Sequence, residues 1–318
     1  MQILAPLNSL KNLDRLIALG ADEFYLGFED AEWNKRFGQY HELNKMSSIK
    51  GSDISAWEDL PRVIETVKKT GKPCFVTING FSYTNEQIEF FDKRFRVMAD
   101  IGVDGIILGA PELFGIARQY HLAVHASSMC NVYNELLVDY YREQGAKRII
   151  LPRDLPLEDI GALKHYAPDM EFEVFLMRVG CRYSDPNCLC LHGGKYGGIC
   201  GYLNRSERVL YSRRTSFEEK HDFSVTNDLY ERMFHVYPAC GLCAIYDLVA
   251  AGIDACKIVG RYENTDEVAE DVRLIRLNID VAKHSGNREE FLDNMTTHTL
   301  HRERCYLSLG CYYPEARF

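Results

Sequence analysis

Three helical stretches of this sequence end in the same corner, Gly20-Ala21-Asp22, Gly102-Val103-Asp104 and Gly252-Ile253-Asp254, and each corner delivers the chain into a short apolar run. A glycine that stops a helix directly ahead of a strand is the joint of a chain in which helices and strands alternate. Eight runs fit that rhythm, at residues 2–6, 23–28, 73–80, 105–109, 122–126, 148–152, 171–177 and 254–260. Their near-continuous apolar content is what strands buried on both faces show, and it predicts a mostly parallel sheet wrapped by helices. Amphipathic stretches lie between them. In residues 9–19, Leu10, Leu13, Leu16 and Ile17 recur at helical spacing behind a serine cap, and residues 85–101 run up to the stop at Gly102. The recurring corner, with no G-x-G-x-x-G after the first strand, favours a closed α/β TIM-like (β/α)8 barrel over an open dinucleotide-binding sheet. The chain of 318 residues is read as one such domain, with a cysteine-bearing insertion after strand seven at about 178–243 and a C-terminal tail at about 286–318.

In a barrel of this kind the chemistry gathers on the face where strands end. Asn79 follows strand three, His125 sits at the end of strand five, Arg153 follows strand six, Cys181 strand seven and Arg261 strand eight. Cys240 and Cys243 precede the helical stretch that runs back down to strand eight, so they belong to the same face. Two further charges fall inside predicted strands, Glu173 in strand seven and Lys257 in strand eight. An unpaired charge there would cost several kcal/mol, so the two head groups are expected to meet, within about 6 Å. Each is equally readable as a piece of the barrel core and as a substrate contact.

Six of the eleven cysteines, Cys181, Cys188, Cys190, Cys200, Cys240 and Cys243, fall in the stretch after strand seven. Structural zinc sites are built from two C-x-x-C knuckles, and only Cys240 to Cys243 has that form here. Wide, uneven gaps suit an iron–sulfur cluster, which needs four thiolates and tolerates irregular loops. Disulfides or packed thiols are the alternatives. With no secretory leader and no apolar run of about twenty residues, the chain reads as cytoplasmic with no membrane span, where disulfides are rare. The balance of 37 basic against 46 acidic residues, a net −9, makes nucleic acid an unlikely partner, although a local basic patch at 205–214 is conceivable.

The chain also resembles the collagenase-like peptidase family, peptidase family U32, which includes anaerobic hydroxylation proteins of ubiquinone synthesis and RNA modification. The resemblance rests on residues 19–27 (LGADEFYLG), 145–160 (GAKRIILPRDLPLEDI), 173–175 and 251–261 (AGIDACKIVGR), and above all on Cys181 and Cys188, with six residues between them and closely following Glu173. It implies a barrel and a four-cysteine 4Fe-4S cluster held by Cys181, Cys188, Cys200 and a fourth thiol, Cys240 ahead of Cys243. Zinc is the alternative metal. This chain departs from the family pattern at Met177-Arg178, where His-Gly is usual, at Val259, where a glutamate is usual, and over residues 28–48.

The family's peptidase label finds little support, since H-E-x-x-H, G-x-S-x-G and a cysteine paired with a base are all missing. The reading that follows is an iron–sulfur-dependent, oxygen-independent enzyme that hydroxylates a small molecule or peptide. His125, Arg153, Glu173, Lys257 and Arg261 are its candidate catalytic residues, with arginine suited to a carboxylated oxygen donor, prephenate by resemblance. The alternatives are a cluster-bearing subunit that works with a related protein, and a zinc-stabilised hydrolase. Cys305 and Cys311 in the tail are expected to pack, with a second metal site as the other option.

Overall fold

The structure is a computed structural model that describes residues 1–39, 41–47, 49–180, 185, 188, 238–297 and 310–317. Its strands are β1 (Gln2–Pro6), β2 (Glu23–Leu26), β3 (Phe28–Glu29), β4 (Ser55–Ala56), β5 (Cys74–Ile78), β6 (Gly105–Leu108), β7 (Ala123–Ala126), β8 (Ala146–Ile150), β9 (Glu171–Val179), β10 (Pro238–Cys240) and β11 (Ala255–Ile258). Eight of them pair in parallel in the order β9-β11-β1-β2-β5-β6-β7-β8, and β8 pairs back onto β9. The ring is closed, as a TIM-like (β/α)8 barrel requires. Each of the eight predicted runs holds one barrel strand. The run at 23–28 stops early because Phe28 and Glu29 leave the ring to pair with Ser55 and Ala56 in a separate small sheet. β10 is an addition to the barrel and runs antiparallel along the end of β9.

The recurring corner has a structural cause. Its glycines take positive φ, 108° at Gly20, 79° at Gly102 and 77° at Gly252, a conformation that costs other residues a Cβ clash. The apolar residue that follows is buried, and its N–H returns to the last helical turn: Ala21 to Leu16, Val103 to Met98, Ile253 to Leu248. The aspartate then accepts a backbone N–H at the start of the neighbouring strand. Asp22 takes Ile3 N at 2.9 Å, Asp104 takes Cys74 N at 2.9 Å and Asp254 takes Phe172 N at 2.8 Å. One short motif therefore ends a helix and caps the floor of an adjacent barrel strand.

The helices follow the predicted faces. The helix Asn85–Asp100 opens on a capping box, with Thr84 and Gln87 exchanging side-chain and backbone hydrogen bonds, and buries Phe90, Phe91, Phe95 and Met98. The stretch at 9–19 begins as a single 3-10 turn, Leu10–Asn12, before the α-helix Leu13–Ala18, because the Ser9 hydroxyl binds Lys11 N and tightens the first turn. Trp33 is fully buried among Phe37, Tyr83, Phe90 and Phe91, an aromatic cluster outside the barrel wall. Among the described residues no helix is long and apolar enough to cross a membrane.

Candidate functional site on the loop face

The barrel interior carries charge. Glu173 is completely buried, and its carboxylate takes Lys257 Nζ at 3.2 Å and Arg148 Nη1 at 3.2 Å, so the predicted Glu173–Lys257 pair is present. Arg148 is the larger anchor. It grips Glu23 through both terminal nitrogens, at 2.5 and 2.9 Å, and reaches Glu171 at 2.9 Å. Three carboxylates thus share two buried cations, while exposed Lys147 stands 3.7 Å from Glu171 and offsets the remaining charge. Burial opposes the charged form of Arg148, but Glu23, Glu173 and Glu171 outweigh it and hold its pKa above the ordinary arginine value. Lys257 is balanced the other way. Burial pulls its pKa down, Glu173 pulls it up and burial wins.

An aromatic tier accompanies this network. Lys257 Nζ lies 4.0 Å over the Tyr25 ring, and Phe75, in register with Tyr25 on the next strand, packs tilted against His125 with ring centroids 4.2 Å apart. His125 is buried and its Nδ1 has no hydrogen-bond partner; Thr77 Oγ1 on β5 is in the same position. Both residues align with Ile107, one strand to either side of β6. Burial, followed by the charges of Arg148 and Lys257, holds the His125 pKa well below the ordinary histidine value. The imidazole is therefore neutral at pH 7 and suited to donate or accept one hydrogen bond rather than to carry charge.

That shift has a sign. Below about pH 6.5 the unfolded chain protonates His125 while the folded chain does not, so stability falls as pH drops from 7.5 toward 5, by up to ~1.4 kcal/mol per pH unit. His125→Gln removes that part of the slope. Urea unfolding of both proteins across this range checks it, and identical slopes would refute the assignment.

On the loop face, Arg153 and Arg261 each meet an acid. Arg153 holds Asp185 through two nitrogens, at 3.0 and 2.9 Å, donates from Nη1 to the Val179 carbonyl at 2.5 Å and lies over the Phe175 ring. Asp185 in turn accepts Cys188 N–H through its backbone carbonyl at 3.1 Å. Arg261 is buried against Asp53 at 3.2 Å and against Asn44 Oδ1. Burial pushes the Asp53 carboxyl above its ordinary pKa against the pull of Arg261. Gly27 is required beneath this pair, because a Cβ there would sit 1.5 Å from Arg261 Nη1 and 2.1 Å from Asp53 Oδ1. Arg178, where the family pattern departs, has positive φ and is paired with Asp271 and Glu267.

The candidate metal ligands divide in two. Cys181 and Cys200 lie outside the described residues, as do Cys190, Cys305 and residues 205–214. Cys188 and Cys240 are described, partly exposed and on the loop face, and Cys243 lies in the 3-10 turn Leu242–Ala244 beyond β10. Lys45 caps the Cys188 carbonyl at 3.3 Å. Among the described residues no group of three or more metal-binding side chains forms. Cys74, Cys130 and Cys256 are of another kind: they are buried in the core, and burial raises the pKa of the last two to about 12.

Glu23, Arg148, Asp53, Asn44 and Asp185 were not singled out in the sequence. A signal existed for Glu23 and Arg148, each a charge at the first position of a predicted strand. Asp53 and Asn44 lie where no periodicity guides the eye.

Fold and site together define a (β/α)8-barrel protein with a charge-paired interior and thiols on its loop face. The profile of peptidase family U32 matches residues 8–309, and the chain belongs to that family. It is 27% identical over 304 residues to tRNA hydroxylation protein P of Helicobacter pylori strain J99, covering 92% of this chain and 67% of that one. It is 26% identical over 208 residues to tRNA hydroxylation protein P of Escherichia coli K12, covering 65% of this chain and 40% of that one. The 23S rRNA 5-hydroxycytidine C2501 synthase of E. coli K12 is 25% identical over 319 residues, covering 95% of this chain and 44% of the synthase. The chain thus spans about two thirds of the first relative's length and less than half of the other two.

These relatives overturn the expectation that nucleic acid is an unlikely partner, since their names place them on tRNA and rRNA. The physical reason is that net charge sums over the whole surface, whereas phosphate binding depends on cations along the path of the nucleic acid. The stretch 205–214 alone carries Arg205, Arg208, Arg213 and Arg214 against Glu207.

Proposed function

We propose that this chain takes part in the oxygen-independent hydroxylation of an RNA base in the cytoplasm, using an iron–sulfur cluster. The observation that carries the reading is that relatives named for tRNA and rRNA hydroxylation align over most of its length. The donor set fits a cluster in its chemistry: Cys188 and Cys240 are partly exposed on the loop face, unlike the core thiols. Cys181, Cys188, Cys200 and Cys240 would hold the cluster, which supplies electrons one at a time when bound.

The protein's own groups have separable tasks in this reading. Arg153 positions the loop that carries Cys188. The Glu173–Lys257–Arg148 network fixes the floor of the barrel, with Tyr25, Phe75 and His125 packed around it. Neutral His125 and Thr77 each have a polar atom to offer a substrate. A carboxylated oxygen donor would have to compete with Asp185 for Arg153 or with Asp53 for Arg261.

The pairing of those cations favours a second reading, a cluster-bearing subunit whose partner supplies the anion-binding groups. One experiment addresses both. RNA from a strain lacking the gene, grown without oxygen, is digested and its nucleosides compared with the parent by mass spectrometry. Loss of a hydroxylated nucleoside is expected, restored by the wild-type gene but not by Cys188→Ala. Identical nucleoside profiles would defeat the proposal. Activity of the purified chain on that RNA only after addition of a second protein would select the subunit reading.

A further inference from the structure

β10 and the C-terminal segment lie side by side, with Cys240 directly opposite Cys311 in a parallel bridge. The flanking hydrogen bonds fix the alignment: Cys240 N donates to Gly310 O at 2.8 Å, and Tyr312 N donates to Cys240 O at 3.1 Å. Residues opposed in this way have Cα atoms about 4.8 Å apart and side chains on the same face. That separation falls inside the Cα–Cα range of roughly 4.4–6.8 Å found in disulfides.

We propose that Cys240 and Cys311 form a redox-active thiol pair that closes into a disulfide and ties the C-terminal segment to the rim of the barrel. Residues 310–317 are held in place on the loop face by bonds independent of either sulfur. Tyr312 Oη donates to Val179 O at 2.8 Å, Tyr313 Oη to Phe175 O at 2.8 Å and Arg288 Nη2 to Ala316 O at 2.6 Å, while Glu315 accepts Leu157 N at 2.9 Å. The two backbones therefore already lie side by side. Both thiols are partly exposed, so an oxidant can reach them, whereas Cys74, Cys130 and Cys256 are sealed in the core. Cys243, three residues from Cys240, lies in the 3-10 turn Leu242–Ala244.

The chemistry is thiol–disulfide exchange with a small disulfide such as oxidised glutathione. One cysteine thiolate attacks the small disulfide, a mixed disulfide forms and one glutathione thiolate leaves. The second cysteine thiolate then attacks the protein sulfur of the mixed disulfide and expels the other glutathione. Two electrons pass from the cysteine pair to the small disulfide, and the two thiol protons end on the released glutathiones. The inference does not require the cluster, although iron held on Cys240 would protect the pair and make the metal-free chain the reactive form.

The test treats the full chain, as isolated and after chelation, with oxidised glutathione, alkylates what remains and maps the peptides by mass spectrometry. The expected product is a Cys240–Cys311 linkage in the chelated protein, reversed by dithiothreitol, retained in Cys243→Ser and accompanied by a higher melting temperature that Cys311→Ser does not show. Glutathione adducts or alkylation at both positions, or a linkage of Cys240 to another cysteine, would overturn the inference. Because the wild-type map decides the matter, a variant that fails to fold leaves the result intact.

Discussion

Arg148→Met is expected to cost about 3–5 kcal/mol of folding stability, the usual penalty for removing one partner of a buried ion pair. The guanidinium serves Glu23 through two bonds and Glu173 and Glu171 through others, and of these only Glu171 has substantial access to water. Without it, Glu23 and Glu173 face each other with Lys257 as the remaining buried cation. The methionine stem replaces the volume and none of the charge. Denaturant unfolding at pH 7 measures the loss. Adding Glu23→Gln to Arg148→Met should recover part of it, because one stranded carboxylate is then gone. A single variant within 1 kcal/mol of wild type would mean that the network is not what holds the barrel floor.

If Cys188 holds the proposed cluster, Asp185→Asn is expected to reduce the iron retained per chain severalfold while leaving the barrel's far-ultraviolet dichroism unchanged. The nearly buried fork of Arg153 holds both carboxylate oxygens, and the same aspartate's carbonyl holds Cys188 N–H. A neutral side chain of the same shape keeps one acceptor and loses the charge-assisted pair, so the peptide bearing Cys188 loses its fixed position. Iron and sulfide assay after anaerobic purification reads the effect. Limited proteolysis near residues 181–188 gives a second readout that does not depend on the metal and should speed up in the variant. Unchanged iron together with unchanged cleavage would show that Arg153 has some other task.

Both predictions concern groups that the sequence showed only in part. Glu173 and Lys257 stood out as charges in mid-strand, and their pairing followed from the cost of burial. Glu23 and Arg148 carry the same signal but open the runs that the sequence predicts, where a charge ordinarily belongs to a solvated corner; in the structure Glu23 does open β2, whereas Arg148 is the third residue of β8. In a closed barrel the strands are tilted and staggered, so these two residues, at different positions along their strands, meet across the ring. Asp185 falls inside a cysteine spacing that draws attention to sulfur. Asn44 and Asp53 come from a long connection after β2 with neither period nor motif, and only their approach to Arg261 over Gly27 gives them a role.

The sequence by itself determined the eight strands, their alternation with helices and the corner that joins them. Each of these depends on local preference: glycine at positive φ, an apolar residue turned inward, an aspartate in reach of a free N–H. The tertiary structure decided which charges neutralise which, and that Cys311 lies beside Cys240. Those pairings join residues far apart in the chain, and they come into being only when the closing of the ring sets the register between strands.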